Sequence, residues 1–248
     1  MTDFTYAEIA KMLDHSLLQP VLTDAELEQG CRLAREYDVA SVCIKPYGVP
    51  LAAKLLAGST VAVGTTVGFP HGGHTTAVKA AEAERAVADG ARELDMVVNI
   101  GKVLGKDWRY VADDIRAVVE AAHRQEALVK VIFENCYLTD EHKQQLCRIC
   151  AEAGADYVKT STGYGAGGAT EEDLKLMRDA APPHVKLKAA GGIRTLDAAL
   201  SVASLGCDRI GASKTAEILD ALKDRLDPGR SPARRPEVPR GTPDSSGY

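Results

Sequence analysis

No stretch of the 248 residues is an unbroken apolar run of the ~18 residues that a membrane span needs. The N-terminal MTDFTYAEIA lacks the basic and apolar regions of a secretory signal, so a cytoplasmic protein is expected. Positive charge is not in excess either. The 30 Lys and Arg face 35 Asp and Glu, a formal charge of −5, which argues against a nucleic-acid partner. Aromatic residues are scarce at 5%, beside 45% hydrophobic and 26% charged residues, a balance that fits an ordinary globular protein. The six cysteines (Cys31, Cys43, Cys136, Cys147, Cys150 and Cys207) form no disulfide framework, and a chain of this length buries enough core without one. Cys147-x-x-Cys150 has no second pair to complete a metal site. It lies in a helical stretch, TDEHKQQLCRICAEAG, and reads as two thiols facing a core or a neighbouring helix. His142, nearby, would still leave a zinc site short of a fourth ligand.

What is present is a regular alternation of short β-type runs and longer amphipathic segments. Candidate strands are Met12–Asp14, Ala40–Ile44, Thr60–Thr65, Glu93–Val98, Leu128–Phe133, Tyr157–Thr160, Val185–Lys188 and Asp208–Ile210. Thr23-Asp-Ala-Glu26 has the spacing of a capping box before a helix to about Tyr37, and Thr139 and Thr195 are further N-cap candidates. Helices are expected to stop at Gly90, Gly154 and Gly206, where ADGARELDM, EAGADYVKT and SLGCDRIGA repeat the order helix, glycine, strand. Repeated βα units with short connections imply parallel strands, and eight of them in a chain of this length predict a single-domain α/β fold, a closed (β/α)8 TIM barrel over 1–226. An open doubly wound sheet is the rival. Residues 227–248 hold five of the eleven prolines and almost no aliphatic side chains, and they are expected to form a flexible tail.

Active groups of a parallel barrel gather at the C-terminal ends of its strands. Polar residues sit in or after several candidate strands here: Asp14, Asp95, Lys130 with Glu134, Lys159 and Lys188. Charges inside a barrel are costly unless they are paired or functional. Lys130 with Glu134 or Asp14 can be read as an ion pair across the mouth. Lys159 and Lys188 lie on consecutive strands, so their ammonium groups can lie close together. Like charge and burial both depress a lysine pKa, and a neutral amine attacks carbonyl carbon where a protonated one does not. Moving that pKa from ~10.4 to ~7.5 takes about 4 kcal/mol. Two lysines and an aspartate therefore point to Schiff-base carbonyl chemistry. Lys186 shares the side-chain parity of Lys188 but lies deeper and receives no role.

Three glycine-rich segments follow strands. Gly163-Tyr-Gly165-Ala-Gly167-Gly168 fits G-x-G-x-x-G, yet a dinucleotide site also wants an acid about 20 residues on, and none is there. Ala190-Gly191-Gly192-Ile193-Arg194-Thr195 and Gly211-Ala212-Ser213-Lys214 follow the seventh and eighth candidate strands. Barrels commonly hold phosphate at those two loops, although tight turns alone would give the same residues.

Taken together, LDHSLL, GFPHG, LDMVVNIG, VKVIFE, ADYVKTSTGYG, KAAGGIRT and RIGAS run in order over about 14–214, and the chain resembles the deoxyribose-phosphate aldolase family. The resemblance implies a class I, metal-free and cofactor-free enzyme of deoxynucleoside catabolism. Its reaction would be reversible cleavage of 2-deoxy-D-ribose 5-phosphate to acetaldehyde and D-glyceraldehyde 3-phosphate. It implies that Lys159 forms the imine, that Lys188 perturbs it, and that Asp95 works with a water in proton relay. Thr162, Gly163, Gly191, Gly192 and Ser213 would hold the sugar and its phosphate, and Asp14 and Lys130 would line the same site. Tyr248 could be the C-terminal tyrosine that assists proton transfer in some members. Its partners would be small sugar phosphates and aldehydes, with no nucleic acid and no membrane, and the chain would be a homodimer. Lys214 departs from the family's G-A-S-S pattern and either meets phosphate or faces solvent. Cys43 is left as a core thiol or a substrate contact. The residues also admit another imine-forming sugar-phosphate aldolase, or a barrel that binds sugar phosphate without turnover.

Overall fold

The computed structural model describes residues 4–227, in which strands and helices alternate as the hydrophobic pattern expects. The strands are β1 (Leu13–Leu17), β2 (Ser41–Ile44), β3 (Ala62–Val67), β4 (Glu93–Val97), β5 (Leu128–Ile132), β6 (Tyr157–Lys159), β7 (Lys186–Ala190) and β8 (Arg209–Ala212). The helices are α1 (Tyr6–Ala10), α2 (Asp24–Glu36), α3 (Val49–Leu56), α4 (Thr76–Ala88), α5 (Ile100–Leu104), α6 (Trp108–His123), α7 (Asp140–Ala153), α8 (Glu171–Ala180), α9 (Leu196–Ser204) and α10 (Thr215–Leu226). Each strand pairs in parallel with the next and β8 returns to β1, so the sheet closes into a (β/α)8 barrel. The open-sheet alternative is thereby excluded. The tail expected from 227 onward, with Tyr248, lies outside the described residues apart from Asp227.

Local sequence chemistry accounts for the boundaries. Thr23 and Glu26 cap each other reciprocally at the start of α2, the Thr23 N–H donating to Glu26 Oε2 at 2.7 Å. Thr139 and Thr195 cap α7 and α9 as expected. At α7 the reciprocal partner is His142, whose Nδ1 accepts from the Thr139 N–H at 3.3 Å. That contact gives His142 a structural task. Cys147 and Cys150 are both buried in α7, and the Cys147 thiol lies 3.8 Å from the Met177 carbonyl of α8. Gly154 ends α7 in the left-handed conformation, at φ 80°, that glycine adopts without steric cost.

Alternate strand residues face opposite sides of the sheet. Outward positions such as Leu94, Met96, Val129, Val131, Val158, Leu187 and Ile210 are buried beneath the helices in one apolar cluster. Inward positions are different. They carry Asp14, Glu93, Asp95, Lys130, Lys159, Lys188 and Arg209, where barrels of this kind usually stack branched apolar side chains. Glycine makes room for Lys188 at one inward position, where a Cβ at Gly211 of β8 would lie 3.4 Å from Lys188 Cε; at Gly64 of β3 a Cβ would instead lie 2.9 Å from the Val42 carbonyl oxygen of β2.

Outside the barrel, Lys79 of α4 is fully buried and bridges Asp114 of α6, at 2.6 Å, to the Val97 carbonyl, at 2.8 Å. This ties two helices to the end of the strand that carries Asp95. His15 of β1 points outward, with its Nδ1 2.8 Å from the Thr215 hydroxyl that opens α10. Burial pushes His15 from its ordinary 6.5 down to about 4, against a smaller opposing pull from Glu217. The folded pKa lies below the unfolded one, so the unfolded chain binds the extra proton between those values. Stability is therefore full above ~6.5 and falls by up to about 3 kcal/mol as pH drops to ~4. Unfolding free energies at pH 7 and pH 4.5 should differ less in His15→Asn than in the parent protein. An equal drop in both would contradict this role for His15.

Candidate active site

The strand register builds the site. Lys159 at the end of β6 lies opposite Lys188 in the middle of β7. Asp95 in β4 lies opposite Lys130 in β5. Across the barrel these four meet. Asp95 Oδ2 accepts from the Lys159 and Lys188 ammonium nitrogens, each at 2.7 Å, and Asp95 Oδ1 accepts from Lys130 at 3.1 Å. Asp14 Oδ2 accepts from Lys188 at 2.5 Å and from Lys130 at 3.1 Å. All five side chains are almost wholly buried.

Burial and charge act on these groups in opposite senses. Burial opposes ionisation of Asp95, but Lys130, Lys159 and Lys188 outweigh it and hold the carboxyl well below its usual range. Asp14 is held low in the same way by Lys130, Lys188 and Arg209. Lys130 is the mirror case: Asp14, Asp95 and Glu93 overcome burial and keep it a firm ammonium. Lys188 is also raised, by Asp14 and Asp95 against burial. Lys159 alone of the three is lowered. Burial is the main cause, Asp95 opposes it, and the neighbouring Lys188 charge adds to it. The two crowded lysines expected from the sequence are therefore present, with burial a larger cause than the second cation.

Two expectations need correction. Asp14 does not end its strand, because β1 continues to Leu17. The polar Asp14-His15-Ser16 run looks like a strand end, but Asp14 and Ser16 face a polar barrel interior and His15 finds Thr215. Of the two partners expected for Lys130, Asp14 holds, at 3.1 Å, and Glu134 does not; Lys130 also donates to Glu93 Oε2 at 2.6 Å. The chain has left the strand by Glu134, which stands in the left-handed region at φ 59° and turns its carboxylate to the next loop. There it accepts from the Thr162 N–H at 3.1 Å and from the Thr162 hydroxyl.

The glycine-rich loops sit over this cluster. A Cβ at Gly168 would lie 2.4 Å from the Gly191 carbonyl oxygen, so the loops after β6 and β7 meet backbone to backbone only because both residues are glycine. The Ala169 N–H donates to that same carbonyl at 3.2 Å. Gly163, Gly191 and Gly192 all have positive φ, from 83° to 86°. Ser213 is exposed two residues before α10, whose N-cap Lys214 makes no side-chain cap hydrogen bond; uncapped helix N–H groups of this kind suit an anion. Lys214 pairs with Glu217 at 3.2 Å, both half exposed.

Sequence reasoning gave no role to Arg209, Glu93 or Tyr164 and left Cys43 open. Arg209 and Glu93 extend the charged cluster downward, and alternation of Glu93 with Asp95 along β4 was the available signal. Cys43 is buried in β2 but lies outside the apolar cluster. Burial and then the Asp95 charge push its thiol up to about 11, so it lines the site as a neutral group. Tyr164 is edge-on to Phe69, ring centres 5.4 Å apart, and burial and then Cys43 raise its phenol. No group of three or more His, Cys, Asp or Glu side chains is placed to hold a metal ion among the described residues, and none of their helices is long and apolar enough to cross a membrane.

The arrangement brings a depressed amine, a fixed ammonium and a fixed carboxylate into one buried cluster beneath glycine loops. Comparison with known proteins shows the family. Residues 8–215 match the family described as DeoC/LacD family aldolase. A deoxyribose-phosphate aldolase of Rhodopirellula baltica is 55% identical over 226 residues, covering 91% of this chain and 94% of that one. That of Thermococcus kodakarensis is 48% identical, covering 88% and 98%. Among solved structures, a deoxyribose phosphate aldolase from Aeropyrum pernix, described as a tetramer, superposes with a TM-score of 0.83 at 30% identity, covering 89% of this chain and 93% of that one.

Proposed function

The chain belongs to the DeoC/LacD family of aldolases, and from that premise we propose that Lys159 is the amine that forms the imine with substrate. The reaction is the reversible cleavage of 2-deoxy-D-ribose 5-phosphate to acetaldehyde and D-glyceraldehyde 3-phosphate. The observation that carries the assignment is the single oxygen, Asp95 Oδ2, shared at 2.7 Å by a depressed lysine and a raised one.

Lys159 attacks the aldehyde carbon of the open-chain sugar, and loss of water gives a protonated imine. A base removes the C3 hydroxyl proton, the C2–C3 bond breaks, and its electron pair enters the imine to leave an enamine. D-Glyceraldehyde 3-phosphate departs. Protonation of the enamine at C2 and hydrolysis release acetaldehyde and restore the amine. Asp95 serves the proton relay through a water, and Lys188 keeps Lys159 unprotonated. Proton transfer by positioned groups contributes typically ~10²–10⁴-fold. The reacting amine belongs to the chain itself, so the reading needs no cofactor.

Thr162, Gly163, Gly191, Gly192 and Ser213 are the proposed contacts for sugar and phosphate, and Asp14 and Lys130 line the site below. In this structure Thr162 is held by Glu134, which fixes the start of the phosphate loop. Residues 1–226 are read as the catalytic barrel and 227–248 as a tail whose Tyr248 is an accessory proton carrier. The enzyme is read as cytoplasmic and homodimeric, which light scattering would test. The substrate assignment is tested by comparing 2-deoxyribose 5-phosphate with unphosphorylated 2-deoxyribose. Loss of the phosphate handle should lower kcat/KM by about 10²-fold or more, because remote binding positions the breaking bond. Equal kcat/KM for the two sugars would remove the phosphate site from this account.

A further inference from the structure

Arg209 opens β8 and lies next to Lys188 in the register, at the floor of the barrel. It grips Glu93 with two nitrogens, Nη2 to Oε1 at 2.9 Å and Nη1 to Oε2 at 3.1 Å, and its Nη1 also donates to Asp14 Oδ1. Beneath them the Tyr157 ring lies 5.9 Å from the Arg209 guanidinium and 6.0 Å from Lys130 Nζ. Arg209 touches neither Lys159 nor Asp95 directly. It reaches them only through Glu93, Asp14 and the lysines that those carboxylates hold.

Four basic side chains (Lys130, Lys159, Lys188 and Arg209) share three carboxylates (Asp14, Glu93 and Asp95). With every group ionised, the closed barrel holds one surplus positive charge. A buried surplus charge is costly, and the proton that leaves most easily belongs to the cation with the fewest anionic partners. Lys130 has three carboxylate partners, while Lys188 and Arg209 each have two. Lys159 has one, which it shares with Lys188.

We propose that Arg209, anchored by Glu93, is a positioning residue for the reaction: it supplies the surplus positive charge that leaves the cluster neutral only when Lys159 is an unprotonated amine. Lys188 and Arg209 then act on Lys159 in the same sense, one nearby and one through the carboxylates. The other ionisable groups around Lys159 do not change the count. Cys43 from β2 is a neutral thiol, Tyr164 from the loop above is a neutral phenol, and the Tyr157 ring closes the floor. Lys186 stands 5.6 Å from that ring but is exposed, where water screens it.

The inference rests on Lys159 being the imine-forming amine, and its test separates the two ideas. The pH dependence of kcat/KM for 2-deoxyribose 5-phosphate cleavage reports the free enzyme's essential groups. Arg209→Gln removes a positive charge and should move the acid limb up by about one pH unit, with about a tenfold loss on that limb. Glu93→Gln removes a negative charge and should move the limb down by a similar amount. The double variant should return it near the parent position, and Arg209→Lys should leave it there. A purely structural role for this pair would lower activity in both single variants without moving the limb in opposite directions, and that result would overturn the proposal. If Arg209→Gln does not fold, the near-isosteric Glu93→Gln decides the sign alone: a limb that stays or rises refutes it. Borohydride trapping of an acetaldehyde adduct on the parent enzyme tests Lys159 separately. An adduct on Lys159 with an unmoved limb rejects only the role of Arg209.

Discussion

Lys159→Ala is expected to lower kcat/KM for cleavage by about 10⁴-fold or more while the protein still folds and binds sugar phosphate. The loss is large because the imine carries the electron pair of the breaking bond, and no other buried amine in the cluster is poised to replace it. Lys130 and Lys188 are both held as ammonium ions by their carboxylates. The fold should survive because Asp95 keeps Lys130 at 3.1 Å and Lys188 at 2.7 Å after Lys159 is gone. Phosphate binding should be retained, since the proposed phosphate contacts, in the glycine loops and at the start of α10, do not include Lys159. Turnover measured with a coupled acetaldehyde assay, together with sugar-phosphate binding by calorimetry, checks both halves. Unchanged turnover would remove Lys159 from the mechanism.

The next largest effect is expected from Lys188→Leu. Removing that ammonium takes away a like charge beside Lys159 and leaves Asp95 Oδ2, which the two lysines share, to Lys159 alone. Both changes favour the protonated form of Lys159. Its pKa should rise, and each pH unit of rise is about tenfold in the fraction of free amine on the acid side. Activity near neutrality should fall by about 10²-fold and recover as pH is raised. Without that recovery, Lys188 would be a structural or substrate-binding group and not a setter of the amine's charge. The contrast with Lys159→Ala lies in this recovery: a missing nucleophile is not restored by alkali, whereas a protonated one is.

Much of this was legible in the chain. Strand periodicity, three threonine caps and the helix-ending glycines are local signals and were enough for eight βα units, while strand number and chain length favoured closure, which the pairing of β8 with β1 shows over the open-sheet rival. The pairing of Lys159 with Lys188 was legible too, since consecutive strands of a parallel barrel are neighbours and both residues have inward parity. The partners of Lys130 were legible only in part: Asp14 was one of the two alternatives, and Glu93 and Asp95 were not foreseen. Glu134 shares its parity and lies four residues on, but the chain leaves β5 before it, and the true partners come from β4 and β1 through the stagger of the barrel. Arg209 was hidden for the same reason: an arginine opening a strand reads as a surface residue unless the opposing Glu93 and Asp14 are known. Cys43 could not be assigned from sequence, since a buried thiol in the apolar layer and one facing the charged interior differ only in the direction of the strand face. The end of β1 was misread because polar residues mark strand ends in an apolar barrel and not in one with an ionic interior.

The most direct test of the central claim is to incubate the protein with acetaldehyde, reduce with borohydride and map the added mass by peptide mass spectrometry. The account predicts one two-carbon adduct on Lys159, absent in Lys159→Ala and faint near neutrality in Lys188→Leu. A folded protein that carries no adduct, or carries it on Lys188 or Lys130, would contradict it.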